Sequence, residues 1–104
     1  MSAEAQAQEE FDTIVEEVEK LMSSAAPVME KISAWTNDDT TQENMVHDSV
    51  DRAQSTFARV REEIKKLSAS GDPLEKRQKV KFLEFDVKNA VYTIEQIRSL
   101  IDGK

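Results

Sequence analysis

Apolar residues recur along this chain in alternating steps of three and four, in three separate stretches. The first stretch holds Phe11, Ile14, Val18, Leu21, Ala25, Val28, Ile32 and Trp35. The second holds Val46, Val50, Ala53, Phe57, Val60, Ile64 and Leu67. The third holds Val80, Leu83, Val87, Ala90, Ile94, Ile97 and Ile101. Such steps keep side chains on one face of a helix, and each apolar stripe needs a partner to leave water. Helices are therefore expected over residues 5–35, 42–68 and 73–102. Three long helices joined by two short turns predict an all-α, antiparallel three-helix bundle, a single domain over residues 1–104.

The residues between the stripes place the boundaries. Thr36-Asn37-Asp38-Asp39-Thr40-Thr41 are turn formers that hydrogen-bond their own backbone, and Asp39, Thr40 or Thr41 can cap the second helix. Ser70-Gly71-Asp72-Pro73 separates the second and third helices. There Gly71 suits a left-handed closure, Asp72 an N-cap and Pro73 a first helical position. Residues 1–8 are polar and carry no stripe, so they read as a frayed lead-in. Pro27 falls inside the first stripe, where a proline costs about 3 kcal/mol unless the helix bends or restarts. Ala25, Val28 and Ile32 keep phase across it, which predicts one helix kinked near Pro27.

Composition narrows the setting. Apolar residues make up 38% and charged residues 34%, a charge-rich balance that the periodicity separates from disorder. The chain has no cysteine, which excludes disulfides and thiolate chemistry and favours a cytoplasmic location. No apolar run reaches membrane-spanning length and the start is acidic, so neither a membrane span nor a signal peptide is expected.

The net charge of −7 is unevenly spread. Residues 1–51 hold 13 acids and 2 bases, and residues 52–104 hold 8 acids and 12 bases. A basic zone spans the end of the second helix and the start of the third, from Arg59 to Lys81. Two meanings are open: ion pairing between helices, or a docking face for an acidic protein surface. Nucleic acid is not the expected partner, since the whole chain is acidic and offers no base-stacking platform.

Candidate chemistry is sparse. The single histidine, His47, shares a helical face with Glu43, but no second carboxylate–histidine set is present to complete a bridged metal site. His47 is therefore expected to be exposed and idle. Neighbouring acids such as Glu16-Glu17 and Glu62-Glu63 point apart on a helix and read as solvated faces. No phosphate loop and no nucleophile with a base are visible, so neither catalysis nor a cofactor is expected. What the stripes leave over is Phe82, Phe85 and Tyr92 on other faces of the third helix, the last two seven residues apart. They fit either a helix packed between two neighbours or an exposed patch for a partner or a homodimer. Met22, Met29 and Met45 read as core or rim filling. Arg77, Glu84, Val91 and Arg98 recur at sevens, a largely polar edge beside the third stripe.

The run Glu75-Lys76-Arg77-Gln78-Lys79-Val80-Lys81-Phe82-Leu83-Glu84, following a Gly-Asp-Pro turn, resembles the third helix of the BAG domain. That family binds Hsp70-type chaperones, and its layout of three helices with a short turn before a basic helix is similar. The resemblance implies a co-chaperone that grips the Hsp70 ATPase domain through helices 2 and 3 and promotes nucleotide exchange. It implies Lys76 or Arg77 as the basic contact and Lys81 in the aliphatic-basic step. Glu84 stands at the family's glutamine, and Glu62 or Glu63 at an acidic end of helix 2. The length and the Trp-terminated first helix also look like the N-terminal regulatory bundle of some syntaxin-type SNAREs. A self-associating structural bundle is the third alternative.

Overall fold

A computed structural model of the chain describes residues 2–103; Met1 and Lys104, the two ends of the expected domain span, lie outside the described residues. Three helices follow in order: α1 over Ala3–Ser33, α2 over Thr40–Ser68 and α3 over Pro73–Asp102. They form an antiparallel bundle with extents of 59 × 21 × 16 Å. A 31-residue helix at about 1.5 Å per residue accounts for most of the long axis.

Each helix starts on a cap written in the sequence. The Ser2 hydroxyl accepts from the Ala5 N–H at 3.1 Å, so α1 begins at Ala3 and the expected frayed segment is helical from there. Asp39 accepts from the N–H groups of Thr41 and Gln42 at 3.0 and 3.3 Å, satisfying two donors that the first turn leaves open. Asp72 accepts from the Leu74 N–H at 3.1 Å, and Pro73 occupies the first position of α3. Gly71 does not close α2 in the left-handed region: no glycine among the described residues has positive φ. Instead Ala69 ends α2, and the Ser70 N–H donates to the Leu67 carbonyl at 3.0 Å in a tighter turn.

Pro27 does not divide α1, which runs uninterrupted through it. Both Pro27 and Ser23, whose carbonyl loses its helical partner, lie on the exposed side. Water can satisfy that carbonyl, so the proline removes one bond without stranding a buried acceptor.

The core follows the three stripes, with shifts of one position in α1 alone. Phe11, Val18, Ala25 and Ile32 of α1 are buried, together with Met22 and Met29. Ile14, Leu21 and Val28 pack at its margin. Val50, Ala53, Phe57, Val60, Ile64 and Leu67 come from α2, and Val80, Leu83, Val87 and Ile94 from α3. Two buried residues extend the stripes upstream: Ala7, four before Phe11, and Lys76, four before Val80. Met45, by contrast, is exposed.

Candidate docking face

The α3 stripe packs inward and leaves the opposite side of the helix bare. Phe82, Phe85 and Tyr92 are 66%, 63% and 66% exposed. Of the two arrangements the sequence permits, a helix packed all round is thus the one not found. Leaving three large aromatic rings in water forgoes burial worth about 1.5–3 kcal/mol each. All three lie on the face of α3 turned away from the core.

The charged residues beside this face fall into two groups. One group knits the helices together. Arg77 donates to Glu10 of α1 at 3.1 Å, Arg59 to Asp86 at 2.8 Å and Lys31 to Asp102 at 2.7 Å. Solvent screens such exposed pairs, so they fix orientation more than stability. The other group is left toward solvent. Lys81 is exposed and enters no ion pair among the described residues. Lys88 reaches only Glu84, at 3.9 Å.

Of the six expected partner contacts, the structure turns half toward α1. Lys76 is 6% exposed, and its ammonium lies 4.9 Å from the centroid of the Phe11 ring. Its position is a correction to the expected surface contact: the heptad phase that buries Val80 also buries residue 76, and only a long stem lets the charged end escape. Arg77 is engaged by Glu10, as above. Glu84 is 17% exposed at its side chain and faces Glu17 of α1. Glu62 and Lys81 are exposed and Glu63 is half-exposed beside Lys66, 3.9 Å away.

Glu84 carries a titration signature of that position. Burial first, then a hydrogen bond shared with Glu17, raises its carboxyl above the ordinary glutamate range, while Lys88 and Lys81 pull the other way. A carboxyl that holds its proton more tightly in the folded chain favours the fold in acid. That contribution is complete below the ordinary range and is lost as pH rises through the raised value. Glu84→Gln is accordingly expected to raise the unfolding midpoint at neutral pH and to lose this advantage in acid. Melts recorded from acid to neutral pH check it, and a pH-independent difference would exclude the Glu17–Glu84 contact as the cause.

His47 is not idle. It is half-buried, and its Nε2–H donates to the Trp35 carbonyl at 2.9 Å, tying α2 to the end of α1. A carbonyl only accepts, so Nε2 must carry the proton. Sequence spacing compared His47 only with Glu43, four residues away, and could not show a partner twelve residues upstream across a turn.

Among the described residues no helix is long and apolar enough to cross a membrane, and no three His, Asp or Glu side chains converge as a metal site. A shallow apolar hollow of about 310 Å³ lies at one end of the bundle, lined by Trp35, Met45, Val46 and Leu100 among others. It offers little polar chemistry. Comparison of the chain with protein-family models, curated proteins and solved structures finds no match.

Proposed function

We propose that this chain is a non-enzymatic protein-docking bundle that meets its partner through the outer face of α3. The observation that carries the proposal is the exposure of Phe82, Phe85 and Tyr92 on a helix whose other side already fills the core. Aromatic side chains supply large contact area at low entropic cost, and they dominate interface energetics when desolvated. Unpaired Lys81 beside them adds charge selectivity at the rim.

A photo-crosslinking residue at Tyr92 should yield a partner adduct in cells, and the same residue at Glu16, on the exposed side of α1, should not. Phe82→Ser with Phe85→Ser should abolish the Tyr92 adduct while changing stability by less than about 0.5 kcal/mol, as expected for exposed positions. Equal adducts from both sites, or adducts indifferent to the two serines, would sink the proposal.

Nucleotide exchange on an Hsp70 ATPase domain is a finer form of the same function. The exposure of Lys81 and Glu62 and the half-exposure of Glu63 support it, whereas Lys76, Arg77 and Glu84 are committed to contacts around α1. Release of a fluorescent ADP from the ATPase domain, with and without the bundle, decides that specific role.

A further inference from the structure

The exposed aromatics keep a heptad of their own. Phe82, Phe85, Asn89, Tyr92 and Gln96 follow one another in steps of three, four, three and four, and all five are exposed. This spacing makes a second seam along α3, with Phe82, Asn89 and Gln96 at a positions and Phe85 and Tyr92 at d positions. Val80, Val87 and Ile94 then occupy f positions, directly opposite, and these are the fully buried ones. One helix thus carries two seams, and only one has helices against it.

The borders of the bare seam carry both paired and unpaired charges. Lys81 and Lys88 occupy successive g positions on one side. On the other, Arg59 and Arg52 of α2 line a groove of about 350 Å³ that Asn89 and Thr93 also line. The carboxylates along these borders are already engaged: Asp86 by Arg59, Asp48 by Arg52, Glu84 between Lys88 and Glu17, and Glu95, at the g position after Lys88, by Arg98. Among the described residues Lys81 enters no ion pair and meets only the field of Glu84, so the seam presents apolar knobs beside one unpaired positive charge.

A second copy does not fit that seam. Two α3 faces brought together would meet lysine borders with carboxylates already held elsewhere. The chain's own acidic surface, Glu9, Asp12, Glu16 and Glu19 on the exposed side of α1, carries charge with no apolar residue among the four. It has no knobs to offer. The missing partner must combine both features.

We propose that the outer seam of α3 receives an acidic amphipathic helix from a partner protein. Its apolar residues pack between Phe82, Phe85 and Tyr92, its carboxylates meet Lys81 and Lys88, and Asn89 fixes the register. A polar residue at an a position gives up stability for register, the role of Asn89 between Phe85 and Tyr92, while Gln96 marks the end of the aromatic stretch. This inference rests on the α3 docking face proposed above and names what binds there.

The test titrates the intact chain with a synthetic monomeric helix of about three heptads, bearing Leu at a and d and Glu at e and g. Its counterpart bears Lys at e and g. The glutamate helix is expected to bind at least about tenfold more tightly, and raised salt should shrink that preference. Lys81→Glu with Lys88→Glu should reverse the order, and Phe85→Ala should abolish binding of either helix without moving the unfolding midpoint. Equal affinity for the two helices, still lost in Phe85→Ala, would overturn the acidic partner and leave the docking face standing. Binding of neither helix would overturn the fourth-helix geometry, with the Tyr92 photo-adduct reporting separately on the face itself. A dimer in sedimentation that Phe85→Ala dissolves would make the occupant a second copy. Competition by anionic vesicles would make it a membrane surface. Either result overturns the proposal.

Discussion

Val80→Asp is expected to abolish the cooperative unfolding transition. Val80 is completely buried, in the part of α3 that faces the core. An aspartate there must either bury an unpaired charge or take up a proton, and even an uncompensated neutral polar group costs about 2–7 kcal/mol. A domain of this size has about 5–15 kcal/mol of stability in total, and small domains bury too little surface to lie near the top of that range. The substitution therefore consumes most of the margin. Lys81→Asp, one residue along on the exposed side, introduces the same side chain into the same helix and should change stability by less than about 1 kcal/mol. Circular dichroism melts of both variants separate burial from helix propensity. A cooperative melt for Val80→Asp close to that of the parent chain would mean that the α3 stripe does not hold the bundle together.

The stripes were legible because helix packing imposes a repeat that a sequence must obey along its whole length. Caps were legible too, since Asp39 and Asp72 combine a local acceptor with a turn before an amphipathic run. The candidate site was less so, for physical reasons that differ from residue to residue. Phe82, Phe85 and Tyr92 have the same chemistry whether packed or bare. Only the placement of α1 and α2 around α3 decides between them. Lys76 was misread as a surface contact although the repeat that runs through Val80 reaches back to it, because a charged residue on an apolar phase is easily assigned to solvent. His47 and Glu84 owe their environments to side chains or carbonyls on other segments, Trp35 and Glu17, which no local spacing reveals. Gly71 resembles a left-handed helix end by composition alone, and α2 closes after Ser68 through a Ser70–Leu67 bond with no left-handed residue.

Phe11→Ala should be the costliest truncation on α1, and it bears directly on whether Lys76 is structural or a partner contact. Phe11 is 2% exposed, and removing a buried phenyl ring costs about 3–5 kcal/mol in lost transfer energy and cavity. Part of the loss is specific to the ammonium above the ring, since a cation held over an aromatic face contributes about 0.5–2 kcal/mol. Lys76→Leu alone should change stability by less than about 1 kcal/mol, because an aliphatic side chain keeps most of the stem's packing and removes the charge over the ring. In the Lys76→Leu background, Phe11→Ala should then cost about 1 kcal/mol less than in the parent chain, the coupling that two residues in contact show. Denaturant unfolding of the four proteins gives the cycle. Phe11→Leu replaces Phe11→Ala if the alanine variant does not fold. Additive effects would detach Lys76 from Phe11 and return it to the surface, available to a partner. Coupling of the expected size assigns Lys76 to the α1–α3 contact, which leaves Lys81 as the first basic residue of α3 that is exposed and outside any ion pair among the described residues.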